Sequence, residues 1–508
     1  MDEKKRKGFL RNEDTRNYAV ISALVLSILF LISPYSPIYR YIFEMDEVCY
    51  KIMSVGLFQG KVLYRDLFDH KGPLTYFLYG IGFFIARNHN WGVFLICFVC
   101  NAIAFIYVYK CSRLFFPARI SMFSTILIIV VNAITLQNIF KSGSKPDNLM
   151  LAPLMISAYL FFKETVAPDI KDFEKISNRS MFIMGILCGI IFMTKLNICL
   201  LYFVFIGCYL LWLLIRKKIA CFFTGAGLFA GGIVLASLPC VLYLAANRAL
   251  SDFWEVYFLF NLNYSKSSEG LFYLTNQSVT VPAKVSITLI ILISALGLFL
   301  AHAGKKLNRQ RWVLIILSAV SFLVMGMPAC ITYFFIVFVP LYTPAFGVVS
   351  ELLCSLMPDE KSTTQIIGIM AVMLPIFLGM QLYMAKYFQI GKTEKEIALE
   401  AFEEKCPDAS CLYFDFPCAV GFYEHCPKTP DFRMFYKPPI TTEDFRQEHL
   451  DAVRNRLPDT IVYWSEGNET KDSNRCRFIE ENGYVLYGVY HDDYTVEYFY
   501  VRDDLPIA

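Results

Sequence analysis

The chain is 508 residues long, 56% of them hydrophobic, with a mean hydropathy of +0.47; soluble domains hold roughly 45–50% apolar residues, so a purely soluble globular protein is excluded. The net charge of +3 hides a division: from Lys386 onward 24 Asp and Glu stand against 14 Lys and Arg, a net of −10, which leaves +13 for the residues before it. A basic membrane body followed by an acidic soluble segment is expected, with nucleic acid a partner of neither.

At the N-terminus Lys4, Lys5, Arg6, Lys7, Arg11 and Arg16 precede an apolar run from Tyr18 to Ile32. No small-residue cleavage site follows it, so an uncleaved anchor with a cytoplasmic N-terminus is predicted. The stretch from Tyr35 to Thr75 is a polar island: Glu44, Asp46, Glu47, Arg65, Asp66, Asp69, His70 and Lys71 crowd between greasy runs. Ionisable groups beside a bilayer are costly and are kept there for a task, so chemistry is expected here. A helix is predicted over Glu44–Val55, broken by Gly56 and Gly60, with Asp46, Tyr50 and Met53 on one face. Leu74–Ala86 is too short to cross comfortably and reads as a helix on the outer surface.

Apolar runs then predict crossings at Trp91–Tyr109, Ile120–Leu136 and Leu149–Phe162, leaving Gln137–Asn148 as a second outer loop. The 36 residues from Ser180 to Ile215 have basic flanks on both sides. As one helix they would run about 54 Å, so a hairpin is predicted, turning at Lys195 and Asn197. Further spans are expected at Cys221–Leu238, Val285–Leu300, Trp312–Met327, Ile331–Val349 and Ile366–Met384, about eleven in all. By this parity the tail lies outside the cell membrane.

The body is thus assigned to residues 1–385, with outer loops at 34–90 and 137–148, and a soluble α/β domain to 386–508. That domain is read from strand-like runs at Cys411–Phe416, Phe432–Tyr436, Thr460–Trp464, Tyr484–Tyr490 and Thr495–Val501, with a helix over Glu443–Arg456. Its cysteines, Cys406, Cys411, Cys418, Cys426 and Cys476, lack the paired spacing of a zinc site; disulfide pairing within Cys406–Cys426 stays open. Tyr413, Phe422, Tyr423, Arg433, Phe435 and Tyr436 line either an acceptor groove or the core, and core is the expectation.

The Met45-Asp46-Glu47 entry with Tyr50, the run from Tyr64 through Asp69-His70-Lys71-Gly72-Pro73 to Leu74, the Lys145-Pro146-Asp147 loop and the Phe192-to-Lys195 turn together resemble the C-type glycosyltransferases. The likeness is to the bacterial branch related to the protein mannosyltransferases and the lipid A aminoarabinose transferase, and it covers about residues 18–215. It implies a polytopic inverting glycosyltransferase, hexosyl or pentosyl, which moves a sugar from a polyprenyl-phosphate donor to a lipid, cell-envelope glycan or protein acceptor on the outer face. Alternatives are a lipid-linked glycan polymerase or ligase, and a lipid or solute transporter. By match to the family, Asp46 is the candidate base with Asp147 as a second catalytic carboxylate; Lys71, Arg65 and Lys195 are candidate phosphate partners. Asp69 and His70 fall where relatives can place a metal ligand, which makes a divalent cation the one candidate cofactor.

Overall fold

The computed structural model describes residues 3–39, 42, 44–134, 143–167, 176–267, 338–357, 360–384, 392–415, 418, 421–438, 442–466, 473–491 and 495–506. The expected spans Val285–Leu300 and Trp312–Met327, and residues 137–142 of the second outer loop, lie outside these. The chain forms two compact units, each discontinuous in sequence: Met1–Ser36, Phe94–Cys240 and Ser268–Met384 make the first, and Pro37–Val93, Val241–Ser267 and Ala385–Ala508 the second.

The first unit is helical. Among the described residues, Glu13–Ile32, Trp91–Arg113 and Ile219–Ala246 are long and apolar enough to cross a membrane. Shorter apolar helices include Ala118–Ile134, Asn178–Phe192 and Val339–Ser355. The predicted hairpin is present: Asn178–Phe192 ends at a turn through Lys195, and a 3-10 turn, Leu196–Ile198, leads into Cys199–Ile215. Small residues bring helices together here. A Cβ on Gly185 would lie 2.2 Å from the Phe229 carbonyl oxygen, and one on Gly232 would lie 2.5 Å from that of Phe182. Backbones can approach this closely only where no side chain intervenes, a common packing mode in membrane helices. Polar groups are satisfied inside the unit: Tyr109 donates to Asp14 Oδ1 at 2.6 Å, Asn17 donates to Tyr109 at 3.0 Å, and Arg113 Nε reaches the same carboxylate at 3.2 Å.

The second unit joins residues 37–93 to the C-terminal residues. Its first helix runs Met45–Phe58, three residues past the expected end. Gly56 lies inside it, because a Cβ there would fall 2.5 Å from Leu67 Cδ1; glycine lets the following turn close on the helix. Gly60, at φ +93°, is the residue that redirects the chain. In the turn itself the Tyr64 amide donates to the Leu67 carbonyl at 2.9 Å, with Tyr64 at φ +71°. A bulky residue in the left-handed region persists only where its surroundings fix it, and Tyr64 is fully buried with its hydroxyl donating to the Lys71 carbonyl at 2.8 Å. Pro73–Ile85 follows, with proline at its first position. It packs on the Met45–Phe58 helix and leaves Ile81, Phe84 and Ile85 exposed.

The C-terminal part holds a four-stranded sheet in the order β1-β2-β4-β3, with β1 Cys411–Phe414, β2 Thr460–Glu466, β3 Tyr484–His491 and β4 Thr495–Arg502. β1 and β2 are parallel, and their connection carries the Glu443–Arg454 helix, as a parallel crossover requires. Helices Glu394–Lys405 and Ser473–Glu481, which the sequence reading did not mark, complete it; the first has a capping box of Thr393 and Glu396. Phe432–Tyr436 is not a strand. Its backbone groups are used singly: Phe435 O accepts from Tyr413 N at 2.9 Å and Arg433 O from Phe68 N at 3.1 Å. That segment thereby bridges β1 and the outer loop. Phe68 packs between Phe260, edge-on at 5.3 Å, and Phe445, tilted at 4.8 Å between ring centres. None of the described cysteines is in a disulfide.

Candidate active site

Asp69, His70 and Lys71 sit between the Tyr64 turn and the Pro73–Ile85 helix, in the second unit. Asp69 is buried, and its carboxylate is fully engaged. Tyr76, one helical turn into that helix, donates to Oδ2 at 2.7 Å; Tyr436 donates to Oδ1 at 3.0 Å, and the His70 amide donates to the same oxygen at 2.8 Å. Burial pushes the Asp69 carboxyl up, but the Lys71 cation and the contacts with His70 and Tyr76 together outweigh it and hold the group well below the usual carboxylate range. The buried phenols of Tyr76 and Tyr436 move the opposite way, raised by burial and by the Asp69 charge, so both remain donors.

His70 lies between the acid and the base. Its Nδ1 is 3.1 Å from Asp69 Oδ1, and its Nε2 is 2.8 Å from Lys71 Nζ. Burial and the Lys71 charge lower its pKa. A neutral imidazole can accept from the ammonium at Nε2 only with its proton on Nδ1, facing Asp69. The result is a file of carboxylate, imidazole and ammonium in which the Asp69–imidazole contact is close but not aligned as a hydrogen bond. Lys71 also lies over the Tyr50 ring, 5.8 Å from its centre, and Asn261 donates to the His70 carbonyl at 2.8 Å. Asp46 is exposed in the first turn of Met45–Phe58, next to the fully buried Glu47. Its charge acts on both Tyr50 and His70.

Arg65 is tied to its own turn, with Nε 3.0 Å from Asp66 Oδ1 and Nη1 donating to the Asn247 carbonyl at 3.0 Å. Asp69 and His70 do not fit a divalent ion: the carboxylate oxygens carry three hydrogen bonds, and the Nε2 lone pair that a metal would take faces an ammonium group. Among the described residues no group of three or more His, Cys, Asp or Glu is arranged to hold a metal.

In the first unit, Pro146 and Asp147 begin the Pro146–Thr165 helix, and Lys195 stands at the hairpin turn. The Lys195 ammonium donates to both carboxylate oxygens of Asp147, at 2.8 and 2.6 Å, in a pair that is almost wholly buried. The Asp147 carboxylate is thus one anion that Lys195 faces. Sequence reading marked both residues and missed that they are partners; it also missed Tyr76 and the bond from Tyr436 to Asp69. Tyr76 follows Asp69 by seven residues across a helix start, a spacing open to inspection. Nothing local points to Tyr436, 367 positions away. The aromatic residues considered for a groove are mostly core: Tyr413, Phe422, Tyr423 and Phe435 are buried.

A family model described as Dolichyl-phosphate-mannose-protein mannosyltransferase matches residues 70–243. No curated protein matches the sequence. Among solved structures, ArnT from Cupriavidus metallidurans bound to undecaprenyl phosphate aligns over 95% of this chain and 97% of its own, at 9% identity and a TM-score of 0.62. The same enzyme in the apo state aligns over 97% and 98%, at 11% identity and 0.63. The archaeal oligosaccharyltransferase AglB from Archaeoglobus fulgidus, in complex with an inhibitory peptide and a dolichol-phosphate, aligns over 90% of this chain and 70% of its own, at 10% identity and 0.51. At these identities the likeness is one of fold.

Proposed function

We propose that this chain is a polytopic C-type glycosyltransferase, an inverting enzyme that moves one sugar from a polyprenyl-phosphate donor to an acceptor at the outer face of the membrane; its ArnT-like fold and the family-model match over residues 70–243 support this. The observation that carries this reading is the ammonium of Lys71, in file with His70 and Asp69 and in the electrostatic neighbourhood of Asp46. The acceptor hydroxyl attacks the anomeric carbon as the bond to phosphate oxygen breaks. Asp46 takes the hydroxyl proton, and Lys71 meets the charge on the departing phosphate. A phosphate leaves as an anion, so no separate acid is needed. Asp147, paired with Lys195, is the second carboxylate of the reading and acts with its lysine as one unit. The N-terminus is cytoplasmic and the C-terminal residues outside. The donor fits the relatives: the ArnT structure holds undecaprenyl phosphate and the AglB structure a dolichol-phosphate.

The test is a donor panel. Purified protein in lipid nanodiscs is given polyprenyl-monophosphate hexoses and pentoses, and polyprenyl-pyrophosphate glycans, together with cell-envelope extract as acceptor. Release of polyprenyl phosphate from a monophosphate donor is expected. Turnover of pyrophosphate-linked glycans alone would shift the reading to a glycan ligase or polymerase.

A further inference from the structure

We infer that a cavity in the C-terminal α/β part is a binding site for one acidic sugar unit of a glycan. The cavity has a volume of about 320 Å³, at the small end of the roughly 300–1,000 Å³ typical of small-molecule sites, and suits a single sugar ring with its linkage. One wall is the Glu443–Arg454 helix and the other the Met434–Pro438 segment, with Asp415 and Arg475 at the edge.

Its lining is built for a polar ring. His449 is 7% exposed and lines the cavity, and among the described residues its Nε2 has no hydrogen-bond partner. An orphaned buried polar atom costs free energy unless something completes it, and a sugar hydroxyl supplies that bond. Burial lowers the His449 pKa to about 4, so the imidazole facing the cavity is neutral at ordinary pH. Tyr436 and Phe445 add aromatic surface for the apolar face of a sugar ring.

The charge selects for acid. Three cations, Lys437, Arg446 and Arg475, surround the cavity with two carboxylates, Asp415 and Glu443. Asp415 is already spent on the first and last of these, with Lys437 Nζ at 2.8 Å and an Arg475 guanidinium contact. This surplus of positive charge stands out in a segment that carries ten more acids than bases overall. The cavity is also joined to the candidate active site: the Tyr436 ring lines it while the hydroxyl donates to Asp69.

That the bound unit belongs to the acceptor rests on the glycosyltransferase reading; the binding itself does not. The experiment is ligand-observed NMR titration of the full chain in nanodiscs with D-glucuronate and D-glucose as probes, with no donor present. Saturable glucuronate binding is expected, with D-glucose weaker. Arg446→Glu, at the exposed rim, should weaken glucuronate by about tenfold, and His449→Phe should weaken both sugars. Lys71→Met, which removes the proposed phosphate partner, should leave binding unchanged even where turnover is lost. Absence of wild-type glucuronate binding, or equal binding by Arg446→Glu, overturns the site; equal affinity for D-glucose overturns its acidic selectivity.

Discussion

Lys71 reaches its position through its neighbours, because a lysine on a flexible stem is directed only by what receives its protons. His70 Nε2 is 2.8 Å from the Lys71 ammonium, and Asp69 Oδ1 lies 3.1 Å from the other ring nitrogen. Replacing His70 with Phe should therefore lower turnover while leaving the Lys71 charge in place, and the donor KM should move less than kcat if positioning is what was lost. Equal behaviour of His70→Phe and wild type in a kcat and KM comparison would remove this role. The Asp147–Lys195 pair makes a different prediction. Removing one member of a buried pair strands the other, at a cost of about 3–5 kcal/mol, so Lys195→Met alone should unfold at a lower temperature than the Asp147→Leu, Lys195→Met double variant. His449 sets a pH dependence. Its folded pKa of about 4 lies below the ordinary value of 6.5, so the unfolded chain takes up that proton first as pH falls. Its contribution is complete above pH 6.5 and is lost progressively towards pH 4, on the order of 3 kcal/mol at most. His449→Phe should flatten thermal stability over that window. The depressed Asp69 group acts in the same direction but lower, losing its contribution only as pH falls below its ordinary value of 3.8.

At the scale of elements, the helix contacts through glycine are the sharpest local requirement. Gly185→Val must displace the Phe229 backbone, an overpacking change worth about 1–3 kcal/mol; a thermal shift assay in detergent should show the loss, and Gly207→Val, with nothing within 4 Å of its added Cβ, should not. Much of this scale was legible. Length and basic flanks predict the hairpin through Lys195, and a short apolar run predicts a helix over Leu74–Ala86, which forms over Pro73–Ile85. What failed has a physical cause in each case. Gly56 reads as a helix breaker, yet its value is the missing side chain opposite Leu67, a tertiary contact. Phe432–Tyr436 has the apolar content of a strand, and burial supplies that content equally well to a loop whose carbonyls bond two different partners.

At the scale of the whole chain, composition shows a membrane body and an acidic tail, and the polar island before Thr75 is visible as an anomaly. The partnership between that island and the C-terminal residues is not visible. Phe68 against Phe445, Arg433 against the Tyr64 carbonyl and Tyr436 against Asp69 all join residues about 370 positions apart, and no periodicity or spacing records such pairs. The carboxylate oxygens of Asp69 are likewise already bonded, to Tyr76, Tyr436 and the His70 amide, which spacing alone does not record. The topology is testable at this scale: a reporter active only outside the cytoplasm, fused after Ala508, should be active, and one fused after Lys110 should not. The central claim rests on Asp46 and Lys71, and one measurement addresses it most directly. Transfer from the donor identified in the panel is measured for wild type, Asp46→Asn and Lys71→Met, each purified in nanodiscs and matched for thermal stability. Loss of transfer by about 100-fold or more in both variants is predicted, the range for removing a general base or a transition-state charge partner; full transfer by Asp46→Asn would contradict the account.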